Sequence, residues 1–361
     1  MDHLRPPTPH DAGPPSGTPL PAGTSWTREL LFVGGAAGLA SALLMISGSQ
    51  GAAGLAAILF LLTPLPMLLA GLGWGWRASA IAALSGLLAA FFTFGPRLAL
   101  IFALSQAVPA ACVCWLAFQR GTGRTGAGDN TTQHRAELAP LDPRHPEAWS
   151  APGVIITALA LMAGALATAS MAAIGGDLES LATAARAALR AHFKDPGGLG
   201  SSGITSEQLD AMIPLFVRIL PAMTAASWLL MMLANLWLSG RILMASGRLA
   251  RPWPDLAALR LPPMLGIALA VALLLTLVPG LTGIAAQGFA SAIAVAYALV
   301  GLAVLHTITR GNAYRPFALS VAYLAALVFA PYGTGLVAIV GLLDGPMRLR
   351  ARYGGSKPGH S

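Results

Sequence analysis

Residues 228–262 read WLLMMLANLWLSGRILMASGRLARPWPDLAALRLP. Up to Gly240 the stretch is uncharged, with Asn235 as its one amide. Beyond it come Arg241, Arg248, Arg251 and Arg260 against Asp255, and a second long apolar run begins at Met264. A short arginine-rich loop between two membrane-length apolar segments stays on the cytoplasmic side, because positive charge beside a span resists translocation. The stretch therefore predicts a multipass membrane protein and orients it.

Composition agrees. Of 361 residues, 55% are hydrophobic and 10% charged, whereas a soluble domain carries about a quarter charged residues. Apolar runs of about 20 residues, the length that crosses a bilayer, recur from Leu30 almost to the C-terminus. They are continuously apolar, without the short alternating strands of a barrel, so the expected fold is all-α, a polytopic transmembrane helical bundle. The formal charge of +8 comes from arginines scattered at span ends. That pattern fits membrane topology and not a basic face for nucleic acid.

Working outward from the loop, the expected order is as follows. Residues 1–29, rich in proline, form a disordered cytoplasmic tail. Residues 30–118 form a four-helix membrane part with spans at 30–46, 52–72, 78–95 and 98–118. Residues 119–150 are a polar cytoplasmic linker. Residues 151–347 form a second membrane part, with spans at 152–174, near 205–239, 265–284 and 289–308, and 348–361 are a basic cytoplasmic tail. That makes eight clear spans, followed by the apolar run 316–347. This run, interrupted by Pro331, Gly333 and Gly335, is either a kinked helix or a short helical hairpin. The hairpin keeps Arg348, Arg350 and Arg352 on the inner side and is the reading taken here. Both termini are then cytoplasmic, at a bacterial inner membrane, with residues 175–208 outside.

Several local patterns carry expectations. Pro64 and Pro66 break the second span, and Trp74 and Trp76 mark an interfacial aromatic belt ending at Arg77. Rows of small residues four apart, Gly34 with Gly38, Ala36 with Ala40, Ala165–Ala169–Ala173 and Ala160–Gly164–Thr168, suit close helix packing. Asp177 to Lys194 has the spacing of an amphipathic surface helix, within an external segment 177–195. Gly197, Gly198, Gly200 and Gly203 make a joint, and Thr205 with Gln208 resembles a capping box. His306 reads as an interfacial residue.

Chemistry-bearing motifs are scarce. Cys112 and Cys114, two apart on a helix, face apart and read as inert packed thiols, so no metal site is expected. Of 14 acidic residues, Asp344 alone falls in an apolar run, which argues against an ion-coupled carrier. No phosphate-cradling glycine loop, GxSxG or HExxH occurs. No enzyme activity and no cofactor are expected. The candidate ligand contacts are Arg218, a charge inside an apolar run that needs a partner, a cavity or a route to headgroups, and Gln106, near the middle of the fourth span. An outward-opening cavity beneath the surface helix would use Arg218 for an anionic group and Gln106 for hydrogen bonds; in the competing reading Arg218 snorkels to headgroup phosphates.

The blocks TPLPMLLAGLGWGWRA (63–78), NLWLSGRI (235–242), RPWPDL (251–256), GLAVLH (301–306) and GLLDGPMRLRAR (341–352) resemble the YybS-like family of multipass bacterial membrane proteins. The resemblance implies a fold similar to the substrate-capture subunits of energy-coupling-factor transporters, which bind a small molecule between helices and use separately encoded ATPase subunits. Two functions follow as expectations. One is a transport-related subunit binding a small solute or lipid and working with partners. The other is a scaffold or envelope-assembly protein that docks membrane-protein partners through its small-residue faces.

Overall fold

The computed structural model describes residues 23–50, 53–119, 151–194, 206–251, 253–254, 259–329 and 332–353. The proline-rich stretch up to residue 22, the linker from 120 to 150, the glycine joint with Thr205, and the tail beyond 353 lie outside the described residues.

The protein is an all-α polytopic bundle with no strand among the described residues. Seven segments are long and apolar enough to cross a membrane. The first is α1 (Gly23–Gln50), which starts inside the expected tail because the last proline of the tail is Pro21. Next come α2 (Ala53–Leu61) with α3 (Leu65–Trp74) as one broken span, then α4 (Trp76–Phe94). The fourth span joins α5 (Pro96–Phe102), a π-helical turn over Ala103–Ala107 and α6 (Val108–Ala117). In the second half, α7 (Pro152–Ile174) leads to the surface helix α8 (Leu178–Lys194), and α9 (Ser206–Ala245) is followed by α10 (Met264–Leu275) and α11 (Leu281–Ile308). The chain ends with α12 (Arg315–Val328), α13 (Tyr332–Met347) and α14 (Leu349–Tyr353).

The expected seventh and eighth spans are redrawn. Their boundary lies at 276–280, not at 285–288, so α10 has 12 residues and α11 has 28. The cause is Pro279–Gly280. The proline disfavours helix in the residue before it, and Gly280 starts α11 at φ +78°, which suits glycine. Seven long spans therefore stand beside two shorter apolar helices, α10 and α13. The run 316–347 is two helices, α12 and α13, which touch near their junction, where the Thr334 hydroxyl donates to the Ala326 carbonyl at 3.0 Å.

Packing follows some of the small-residue rows and not others. Gly34 and Gly38 press α1 against Ala78, Ala82 and Ser85 of α4, whereas Ala36 faces outward. Gly164 of α7 lies under the Phe289 ring of α11, while Ala165, Ala169 and Ala173 are exposed. One close pair of helices was not among the expected rows. Gly301 of α11 meets the Val337 carbonyl and Gly341 of α13 meets that of Tyr297, so α13 runs antiparallel to the C-terminal half of α11. One core joins both halves of the chain, with Met67, Leu68 and Phe102 from the first and Leu159, Leu229 and Ala296 from the second.

The two ends of the bundle are fixed by α7. At its start Gly153 abuts the Arg260 carbonyl; after its end Asp177 caps α8 by accepting from the Ser180 backbone N–H at 2.8 Å. Its 23 residues span about 34 Å at 1.5 Å per residue, close to the roughly 30 Å of a hydrocarbon core. The 240–262 loop and α8 therefore occupy opposite ends. On the loop end sit Glu29, which accepts from Trp74 Nε1 at 2.8 Å; Arg248, 5.3 Å from the Trp74 ring centre; and Arg350, whose Nη2 donates to the Leu259 carbonyl at 2.8 Å. The start of α1 and the C-terminal helix share that end.

Candidate binding site

The arginine-rich segment is not a free loop. The Ala250 N–H donates to the Leu72 carbonyl at 3.2 Å, and Arg251 Nη1 donates to the carbonyl of Ala117, the last residue of α6, at 2.7 Å. A cation at a helix C-terminus meets the negative end of the helix dipole. Arg251 is 7% exposed, and burial pulls its guanidinium below the usual arginine range. Trp253 lies flat against Gly240, where any side chain would strike its ring. The segment is thus a packed cap tying α3, α6, α7 and α9 together. Charge patterning predicted its side of the membrane; its packing needed partners far away in the chain.

Above this cap is a half-open cavity of about 970 Å³, at the upper end of the roughly 300–1,000 Å³ of small-molecule sites. Its walls come from Ile155 and Ile156 of α7, Leu230, Leu233 and Trp237 of α9, and Leu299, Leu302 and Ala303 of α11, with Leu72, Leu249, Trp253 and Leu259 beneath. The polar lining is confined to Arg251, His306, Arg310, Arg315 and Tyr323. His306 Nε2 and the Tyr323 hydroxyl are 3.0 Å apart, joining α11 to α12. An apolar hollow with cationic groups at one edge can hold an apolar body and orient an anionic group.

A second hollow of about 350 Å³ lies between α1, α3 and α9, lined by Val33, Pro66, Leu69, Trp74 and Leu243. Of the two break prolines, Pro66 lines this second hollow and Pro64 lines neither. Leu61 loses its helical N–H partner because Leu65 bonds back to Leu62 instead. The Asn235 amide fills that vacancy, donating to the Leu61 carbonyl at 2.7 Å.

The two residues proposed from sequence are not brought together. Arg218 is exposed on α9 and lines neither hollow. Gln106 is 1% exposed, on the π-turn, and its amide has no partner among the described residues. Beside it Trp228 Nε1 donates to the Ser105 carbonyl at 2.9 Å. Since Trp228 is ten residues beyond Arg218, the two lie about 15 Å apart along the α9 axis. The large cavity is at the opposite end of the bundle from the expected one, and neither Arg218 nor Gln106 lines it. Beneath α8, Leu181 packs with Met171, Ile213, Val217 and Ile284, which closes that face with apolar side chains.

Sequence reasoning missed Arg310, Arg315 and Tyr323 as site residues and read His306 as interfacial. Their signal was weak. A basic pair bracketing the short turn after a span reads first as topology, and Tyr323 reaches His306 only because α12 folds back. Cys112 and Cys114 are both free thiols, and no metal-binding cluster occurs among the described residues.

Fold and site define an integral membrane protein with a basic-edged cavity among its helices. The family model described as Predicted membrane protein (DUF2232) matches residues 146–345, more than half of the chain, and the chain belongs to that family. Comparison with curated proteins and with solved structures gives no match.

Proposed function

We propose that this protein is a non-enzymatic, transport-related membrane subunit that binds a small solute or lipid in the cavity between α7, α9 and α11 and works with separately encoded partners. The observation that carries the reading is the cavity itself: about 970 Å³, apolar in its walls and basic at one edge. The resemblance of its sequence blocks to the YybS-like family, and through it to energy-coupling-factor capture subunits, supports the same reading. In this proposal the loop end is cytoplasmic at a bacterial inner membrane, where ATPase subunits would reach it.

The scaffold reading retains the outward small residues, Ala36 on α1 and the row Ala165, Ala169 and Ala173 on α7. Gly34, Gly38 and Gly164, which also suggested docking, are already used inside the chain. Purification in a mild detergent separates the two. Copurifying ATPase subunits together with a bound small molecule support transport; envelope-assembly proteins without a bound small molecule overturn it.

A further inference from the structure

The edge of the cavity carries a second piece of chemistry. Arg310 and Arg315 bracket the turn between α11 and α12, and both line the cavity. Among the described residues, the ion pairs are Arg186 with Asp210 and Arg350 with Asp344, so neither Arg310 nor Arg315 has a carboxylate partner there. Beside them the Tyr323 hydroxyl and His306 supply hydrogen-bonding atoms 3.0 Å apart. The guanidinium fork binds phosphate oxygens two at a time, and a pair of forks suits a group with several anionic oxygens.

Apart from Arg251, which donates to the Ala117 carbonyl, the rest of the hollow is apolar. A fully polar solute would leave those walls uncovered, and a plain hydrocarbon would leave two guanidinium groups without a counter-charge. A molecule that satisfies both has a phosphate at one end and a hydrocarbon chain at the other. Trp237, 53% exposed, lines the cavity from α9 with Arg241 at 6.0 Å from its ring centre. An amphipathic indole beside a cation suits a membrane interface, where a lipid chain would have access to the cavity from the bilayer.

We propose that the cavity holds a membrane lipid with an anionic phosphate headgroup, its headgroup on Arg310 and Arg315 and one chain lying between α9 and α11. This rests on the reading of the cavity as a ligand site and names the ligand class.

The test is native mass spectrometry of the full chain in mild detergent, after exposure to phosphatidic acid, phosphatidylcholine or water-soluble glycerol phosphate in separate samples. The expected result is retention of phosphatidic acid about tenfold over phosphatidylcholine, with no retention of glycerol phosphate. The double variant R310L/R315L should lose that preference, and Arg97→Leu, remote from the cavity, should keep it. Equal retention of both lipids by the parent chain overturns the headgroup assignment, and so does an undiminished preference in a folded double variant. Should the double variant fail to fold, quenching of parent-chain tryptophan fluorescence by lipids brominated on the acyl chain decides. Quenching stronger with the phosphatidic acid form supports the proposal, and equal quenching overturns it. Retention of glycerol phosphate instead overturns the lipid while leaving the cavity as a solute site, which separates this failure from failure of the broader reading.

Discussion

The two ends of this bundle treat charge in opposite ways. At the loop end, arginines are built into the fold: Arg251 is buried against the end of α6, Arg350 pairs with Asp344 at 2.6 Å, and Arg77, Arg241 and Arg248 lie over Trp76, Trp237 and Trp74. At the α8 end, Arg218 is exposed, and Arg186 reaches Asp210 at 3.7 Å with both side chains over 40% exposed. There Leu181, Ile213 and Val217 hold the elements together. The lesson is that an arginine carries different weight depending on whether backbone carbonyls and carboxylates surround it. The loop end is a structured cap that leaves a cavity, and the α8 end is an apolar seal.

The largest effect expected is all-or-none. With Cys112 and Cys114 removed, single cysteines at Ser246 and Thr183 should label from opposite faces of intact cells with a membrane-impermeant reagent. Labelling of both from one face would break the two-ended arrangement.

Next in size is the buried ion pair. Asp344→Asn removes the carboxylate 2.6 Å from Arg350, whose side chain is 11% exposed. Loss of one partner of a buried pair costs about 3–5 kcal/mol. Thermal melting in detergent should show that loss, and the double change D344L/R350M should recover most of it. A melt unchanged by Asp344→Asn would mean the cap does not depend on the pair.

Close packing on the same side gives a smaller effect. Gly301→Ala forces a methyl against the Val337 carbonyl and should destabilise by about 1–3 kcal/mol. The control Gly335→Ala, with open space at its Cβ, should be neutral or slightly stabilising. Asn235→Leu removes the donor to Leu61 and should cost about 0.6–2 kcal/mol, read by the same melt.

The α8 end should yield the smallest effect. Arg186→Ala breaks an exposed pair and should change stability by less than about 0.5 kcal/mol, whereas Leu181→Ala beside it should cost about 2–5 kcal/mol. A larger loss from Arg186→Ala than from Leu181→Ala would reverse the comparison between the ends.

Much of the architecture was legible beforehand, and the misses have specific causes. The spans over α1 to α7 were recognisable because each is a continuous apolar run. The seventh span was expected to run to 284 and α10 ends at Leu275, because Val278–Pro279–Gly280 is a turn signal inside an apolar run, and the turn prevailed over hydrophobicity. The site was mostly illegible. Arg218 stood out by its position in an apolar run, but α9 extends far enough to leave it exposed. Arg310 and Arg315 looked like ordinary topology signals until α12 folded back and set Tyr323 against His306.

The sequence by itself determined that this chain is a helical membrane protein, where its long spans run and which segments share an end. Those properties depend on local run length and on where charge sits along the chain, and bilayer thickness converts both directly into structure. The tertiary structure decided which arginines are buried, that Asn235 satisfies the Leu61 carbonyl left open where the Leu65 N–H turns to Leu62, and that the hollow lies on the cap side. These depend on contacts between residues up to 174 positions apart, and nothing in a run of neighbouring residues encodes which distant carbonyl a guanidinium or an amide will meet.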